Sequence, residues 1–149
     1  MSTSLFDAPP YDPRRARRKK HVITVVITSV LVLAALAYIY RNWAEERVVD
    51  KFFAALQRQD YETAYGIWMN DPAWKQHPQK YGQYPFGEFY RDWGPGGEWG
   101  VVRSYKIDGS GSPRGGGSGV IVQVTVNNRA EKARIWVEKK DKTLTFSPY

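Results

Sequence analysis

The sequence predicts an α+β protein that carries a single N-terminal transmembrane helix. Three observations indicate this class: an uncharged apolar run, apolar side chains at helical spacing in the middle of the chain, and strict alternation of side chains toward its end. We therefore expect a disordered basic cytoplasmic tail over residues 1–21, a transmembrane helix over residues 22–41 and an extracytoplasmic α+β domain over residues 42–149.

The positive charge of the chain is concentrated near its N-terminus. Among 149 residues, 22 are Lys or Arg and 15 are Asp or Glu, which gives a formal net charge of +7. Residues 48–149 contain nearly equal numbers of basic and acidic side chains. Such a domain is not typical of nucleic-acid-binding proteins, which cluster their cations against phosphates. The sequence contains no cysteine, which excludes disulfides, thiolate metal ligands and thiol nucleophiles.

The apolar run has the length and flanking charges of a membrane anchor. Residues 22–40, VITVVITSVLVLAALAYIY, contain no charged residue, glycine or proline, and as a helix they span about 28 Å, close to the ~30 Å hydrocarbon core. The preceding segment RRARRKK, residues 14–20, places the N-terminus in the cytoplasm by the positive-inside rule. The expected membrane-interface anchors are Arg17, Arg18, Lys19 and Lys20 on that side, and Tyr38, Tyr40 and Trp43 on the other.

Two other interpretations of this region stay open. The basic segment also fits a nuclear address or a nucleic-acid contact, although its position directly before an apolar span favours a role in orienting the helix. The small residues of ALA at 35–37 fit a signal-peptide cleavage site after Ala37. The apolar run continues past that site into aromatic residues, so we expect an uncleaved anchor.

Helical spacing predicts the first elements of the domain. The first helix shows apolar residues at i, i+1, i+4, i+5 and i+8, namely Val48, Val49, Phe52, Phe53 and Leu56. Asp60 is the expected N-cap of a second helix. Residues 70–85 contain three prolines and a glycine and predict a loop, after which Pro85 suits the first position of a third helix.

Beyond Gly100 the period of the pattern changes to two, which predicts strands. We expect a first strand over residues 99–108, then alternating strands over residues 120–127 and 133–138, and a short last strand around Leu144 and Phe146. The segment GSGSPRGGGSG, residues 109–119, lacks the ending of a phosphate-binding loop and predicts a flexible connection.

The order of these elements resembles small NTF2-like domains. The similarity covers about residues 45–149 and lies in VVDKFFAALQRQDYETAYGIW, the aromatic helix after it and WGVVRSYKID, followed by paired strands. It implies about three helices packed on a curved antiparallel sheet of about four strands, which together form a cone. Membrane-anchored members include VirB8-type components of type IV secretion systems, and the layout is also similar to Coa1-type and Tim21-type single-span assembly factors.

Few residues suggest catalysis or metal binding. Asp92 and Glu98 flank a Gly-Pro-Gly-Gly segment that predicts a type II turn with Pro95 and Gly96 at its centre. Paired carboxylates divide acid and base roles only in suitable environments, and acids beside a turn are usually solvated. His77 is six residues from Asp71, but one histidine without cysteine partners does not complete a zinc site. We assign no catalytic residue, cofactor or metal.

The density of aromatic residues between positions 61 and 99 is the most unusual feature. Such rings either fill the core of a small domain or line a pocket or an interface. We expect the rings on the helix faces to pack in the core. For the rings in the loop, a place in a pocket or an interface is nearly as well supported as a place in the core. The candidate ligand-binding or partner-binding residues are Tyr65, Trp68, Trp74, His77, Tyr81, Tyr84, Trp93 and Trp99.

We therefore hypothesise a non-enzymatic, membrane-anchored interaction domain that serves as an assembly or scaffold factor for an envelope or respiratory membrane complex. It would reside in the bacterial cytoplasmic (inner) membrane with its domain in the periplasm. The expected partners are the lipid bilayer and other membrane or envelope proteins, with a homo-oligomer as an option and no nucleic acid. The alternatives are a small-ligand binder or cone-pocket enzyme of the NTF2-like type, and a VirB8-like secretion component.

Overall fold

The computed structural model describes residues 12–149, and contacts between its residues divide the chain into two compact units, Met1–Arg41 and Asn42–Tyr149. The first unit contains one long helix, and the second contains three α-helices and a β-sheet. The part of the predicted disordered tail that covers residues 1–11 lies outside the described residues. The predicted α+β class and the predicted order of helices before strands are confirmed.

Helix α1 extends from Pro13 to Ile39 and therefore begins earlier than predicted. Residues 13–21, which we assigned to a disordered tail, are helical because Asp12 caps the helix and its side chain accepts a 2.9 Å hydrogen bond from the Arg14 N–H. Proline at the first helical position and the following Arg, Lys and Ala residues also favour a helix. By length and composition α1 is apolar enough to cross a membrane, and none of its residues is buried.

Three helices form one layer of the domain: α2 at Trp43–Gln57, α3 at Tyr61–Trp68 and α4 at Phe86–Trp93. The predicted cap of α3 is confirmed, because the Asp60 carboxylate accepts a 3.1 Å hydrogen bond from the Thr63 N–H. Pro85 is the N-cap of α4 instead of its first helical residue. The segment between α3 and α4 forms two short 3₁₀ turns, Trp74–Gln76 and Pro78–Tyr81, within the predicted loop.

The other layer is an open four-stranded antiparallel sheet in the order β1-β2-β3-β4. The strands are β1 at Tyr105–Gly111, β2 at Gly119–Val126, β3 at Lys132–Glu138 and β4 at Leu144–Phe146. The register opposes Ile107 to Val124 and Val122 to Ile135, and an irregularity interrupts β1 between Ile107 and Gly109. The alternation seen in the sequence is real, because every second side chain of β2, from Val120 to Val126, is buried.

Two local predictions before β1 are wrong. The first strand begins at Tyr105 and not at Trp99. Residues 99–104 have an irregular backbone conformation instead, because the side chain of Asn127 forms hydrogen bonds with that backbone. The turn at residues 94–97 is closed by a 3.0 Å hydrogen bond from the Gly97 N–H to the Gly94 carbonyl, but Gly96 lacks the positive φ of a type II turn. The positive φ lies at Gly100 instead, at +62°.

Candidate functional site

Four of the candidate partner-binding residues lie in the core of the domain: Tyr65, Trp68, Trp93 and Trp99. The Trp93 ring centroid is 5.5 Å from that of Trp68 and 5.1 Å from that of Phe52. Tyr65 packs on Phe89 at 5.2 Å. These distances are those of packed aromatic pairs, so the rings fill the space between the helices and the sheet.

Three further candidates, Trp74, Tyr81 and Tyr84, are partly buried and pack against the same core. Trp74 stacks on Phe86 with ring centroids 5.1 Å apart, and its indole N–H donates a 3.2 Å hydrogen bond to the Glu62 carbonyl. The Tyr65 hydroxyl donates a 2.7 Å hydrogen bond to the Tyr84 carbonyl. The loop rings therefore attach residues 70–85 to α3 and α4, which is a structural role.

Asp71 joins the remaining candidate, His77, to Tyr81. The Tyr81 hydroxyl donates to Asp71 Oδ2 at 2.6 Å, and His77 Nδ1 lies 3.0 Å from the same oxygen. The hydrogen bond from Tyr81, followed by that of His77, holds the pKa of Asp71 below its usual value despite partial burial. The Asp71–His77 proximity considered from the sequence is real, but no group of three or more His, Asp or Glu side chains suited to a metal exists within residues 12–149.

The two acids that flank the turn at residues 94–97 have different surroundings. Asp92 is half-buried and accepts a 3.0 Å hydrogen bond from the Tyr84 hydroxyl, whereas Glu98 is exposed. Burial, together with the Asp92 carboxylate, raises the pKa of the Tyr84 hydroxyl far above its usual value, so this group stays a hydrogen-bond donor at any physiological pH. The hydrogen bond between Tyr84 and Asp92 thus links the segment before α4 to the last turn of that helix.

A first surface groove, which we call the helical groove, has a volume of about 570 Å³ and lies beside α2, α3 and residues 72–76. Val48, Gly66, Ile67 and Trp74 line it. The ion pair between Lys75 and Glu62 lies at its edge. The groove is open to solvent and contains no buried acid or histidine among its lining residues.

A second groove, which we call the edge groove, has a volume of about 530 Å³ and lies where β4 ends. Strand β4 pairs only with Ile135–Val137, so residues 132–134 of β3 extend past it. The groove is lined by Trp93, Trp99 and Phe146, and Phe146 is half exposed. The indole N–H of Trp93 is buried and has no acceptor among the described residues.

The predicted membrane-interface residues are all exposed: Arg17, Arg18, Lys19, Lys20, Tyr38, Tyr40 and Trp43. The first six belong to α1 or follow it directly, and Trp43 is the first residue of α2. The Arg41 guanidinium lies 5.0 Å from the ring centroid of Tyr38, and that of Arg47 lies 5.5 Å from Trp43. Both guanidinium groups therefore lie within cation–π distance of an exposed ring.

Two polar groups on which the domain depends, Glu45 and Asn127, are not evident from the sequence. Glu45 is buried and bonded to Lys142, 97 residues later, at 2.7 Å. Asn127 uses both ends of its amide to bind the backbone of residues 99–104. A single sequence carries no signal for the pairing of Glu45 with Lys142. For Asn127, the NNR segment at residues 127–129 indicated a turn but not the hydrogen bonds of the side chain.

Comparison of the chain with protein-family models, curated proteins and solved structures gives no match. The resemblance to NTF2-like domains therefore stays a prediction. The α+β class, the long apolar helix and the open four-stranded sheet are what the structure itself establishes.

Proposed function

We propose that the chain is a membrane-anchored interaction domain of the NTF2-like type. In this proposal α1 crosses the cytoplasmic membrane, the basic residues stay in the cytoplasm and the domain acts in the periplasm. It would assemble or scaffold an envelope or respiratory membrane complex through its surface, without catalysing a reaction.

The observation that carries the proposal is the uncovered apolar surface of α1. Its large hydrophobic side chains, from Val22 to Ile39, are between 45% and 71% exposed. A continuous apolar surface of this length is not stable in water, so another phase or another protein must cover it. Six cations within residues 14–20 at one end favour a bilayer with the N-terminus on the cytoplasmic side.

The filled interior of the domain supports an interaction function over the alternative of a cone-pocket enzyme. An enzyme of that type needs a deep cavity with a buried titratable group. Here Phe52, Trp68 and Trp93 occupy the space between the helices and the sheet. The grooves described above lie on the surface, which is where a protein partner binds. No observation favours the VirB8-like alternative specifically.

The topology is tested by labelling single cysteines, because the natural chain contains none. Ser112 is exposed and its side chain makes no hydrogen bond within residues 12–149, so Ser112→Cys leaves the domain intact. In cells whose outer membrane is permeabilised and whose cytoplasmic membrane is intact, a membrane-impermeant maleimide should label Ser112→Cys. The matched variant Ser4→Cys, in the basic tail, should be labelled only after lysis. Labelling in the reverse order would contradict the proposal.

A further inference from the structure

We propose that one end of the domain lies against the headgroups of the bilayer and binds anionic lipids. We call it the bilayer-facing end and define it by the β1–β2 loop, residues 112–118, the β3–β4 turn, residues 139–143, and the strand residues beside them, 110–111 and 138. The inference rests on the proposed function, since it requires that residues 22–40 cross the membrane.

The strand order places these two connections together. In an antiparallel sheet of order β1-β2-β3-β4, the first and third connections lie at one end and the second lies at the other. The Lys139 N–H donates a 3.1 Å hydrogen bond to the Ser118 carbonyl, which joins the loop directly to the turn. The β2–β3 turn, residues 127–131, therefore marks the opposite end.

Two contacts attach the bilayer-facing end to the first turn of α2. The Lys142 ammonium donates to Glu45 Oε1 at 2.7 Å, and the Ser110 hydroxyl donates to Glu46 Oε1 at 2.6 Å. At the other end of α2, the Gln57 amide donates to the Arg103 carbonyl at 2.8 Å. Helix α2 thus runs along the domain from the bilayer-facing end to the end that contains residues 99–104 and the β2–β3 turn.

The covalent connection to the membrane span decides which end is near the bilayer. Asn42, the buried residue that directly precedes α2, is two residues after Tyr40, the last residue of the apolar run, so even an extended chain keeps the start of α2 within about 7 Å of Tyr40. Helix α2 has 15 residues and adds about 22 Å before the opposite end is reached. The bilayer-facing end is therefore the nearer of the two ends to the apolar run for any orientation of α1.

The bilayer-facing end has the chemistry of a surface that binds phosphate headgroups. Arg114, Lys139 and Lys140 of this end are exposed, as is Arg47 of α2 beside it, and none of the four is within ion-pair distance of a described carboxylate. Of the carboxylates at this end and in the first turn of α2, Glu45 is paired with Lys142, whereas Glu46, Glu138 and Asp141 accept hydrogen bonds from the hydroxyls of Ser110, Ser118 and Thr143. Trp43 lies beneath Arg47 and is exposed, as interfacial tryptophans are.

The position of this end is tested with the full chain reconstituted in vesicles of phosphatidylcholine and phosphatidylglycerol. A bimane fluorophore is placed at Ser112→Cys in the β1–β2 loop or at Glu131→Cys in the β2–β3 turn, and the vesicles contain a headgroup spin-labelled lipid as quencher. We expect severalfold stronger quenching at residue 112. Equal quenching at both sites, or stronger quenching at residue 131, would overturn the inference.

Lipid recognition is tested by removing charge at either end. The triple variant Arg114→Gln, Lys139→Gln, Lys140→Gln should lose the additional quenching at residue 112 that phosphatidylglycerol produces relative to pure phosphatidylcholine. The matched variant Arg58→Gln, Arg103→Gln, Lys106→Gln removes the same charge from exposed residues nearer the opposite end and should keep it. Equal behaviour of the two variants would contradict anionic-lipid binding. Extraction of the natural chain from the vesicles by alkaline carbonate would instead contradict membrane anchoring itself.

Discussion

At the scale of single residues, the domain depends on a buried carboxylate that has one strong partner. The Glu45 side chain is 6% exposed, and the Lys142 side chain is 33% exposed. Burial by itself would raise the pKa of Glu45, but the hydrogen bond and charge of Lys142, together with a backbone hydrogen bond and the charge of Lys139, outweigh it and hold this pKa below its usual value. The carboxylate is therefore ionised in the folded domain and needs its cation.

We expect Lys142→Met to destabilise the domain by about 2 kcal/mol, because it leaves the buried charge of Glu45 without a partner. Methionine retains the stem of the side chain and meets the same backbone strain at φ +59°, so the comparison isolates the ammonium. Glu45→Gln should cost less, since Lys142 then turns to solvent. Urea denaturation of both single variants and the double variant measures the coupling, and additive effects would contradict a direct pair.

The same pair predicts a pH dependence. Because the pKa of Glu45 is lower in the folded than in the unfolded chain, the stabilisation is complete above the unfolded value of about 4.5. It is lost as the pH falls through the folded value. The difference in unfolding free energy between the natural chain and Glu45→Gln should therefore shrink on acidification below about pH 4. A difference that stays constant from neutral pH to pH 3 would be inconsistent with the ion pair.

Gly119 is a residue whose identity is required by a neighbour on the next strand. A Cβ at this position would lie 2.6 Å from Cζ2 of Trp136, well inside contact distance. We expect Gly119→Ala to cost about 1–3 kcal/mol, as overpacking does. The double variant with Trp136→Ala should lose less stability than the sum of the single variants in thermal unfolding, and a strictly additive loss would show that the ring is not the cause.

At the scale of elements, local patterns predicted what local interactions decide. The periodicity of α2, the Asp60 cap and the alternation along β2 and β3 reflect contacts between near neighbours or one buried face, so a single sequence reveals them. The start of β1 was wrong by six residues because it depends on Asn127, which follows β2 and has φ +52°. The early start of α1 depends on the cap at Asp12. The basic composition of the segment indicated a disordered tail instead.

Asn127 should therefore control the segment before β1. Its amide accepts from the N–H groups of Arg103 and Ser104 and donates to the carbonyls of Trp99 and Val101. We expect Asn127→Gly, which keeps the positive φ, to cost about 1–3 kcal/mol through the lost hydrogen bonds. Asn127→Ala should cost roughly 1 kcal/mol more because of backbone strain. Hydrogen exchange of the amides of residues 103 and 104 should accelerate in both variants, and unchanged exchange would contradict this role.

At the scale of the whole molecule, the candidate site divided into residues with different roles. Sequence alone suggested that eight residues bind a ligand or a partner, and the structure places Tyr65, Trp68 and Trp93 inside the core while Asp71 binds His77 and Tyr81. Composition alone does not separate a ring that fills space from one that lines a pocket, because both are apolar and periodic. With the interior filled, a partner has to bind at the surface of the described residues, where α1 and the two grooves lie.

The central claim is that the chain is a membrane-anchored domain that acts through a protein partner. The most direct test is the mass of the assembly that contains the natural chain after extraction from its own membranes. The chain is solubilised in a mild detergent, crosslinked and separated by size, and its partners are identified by mass spectrometry. We expect a defined assembly in which at least one other membrane protein is present in stoichiometric amount. An isolated monomer in every mild detergent, with no crosslinked partner, would contradict the account.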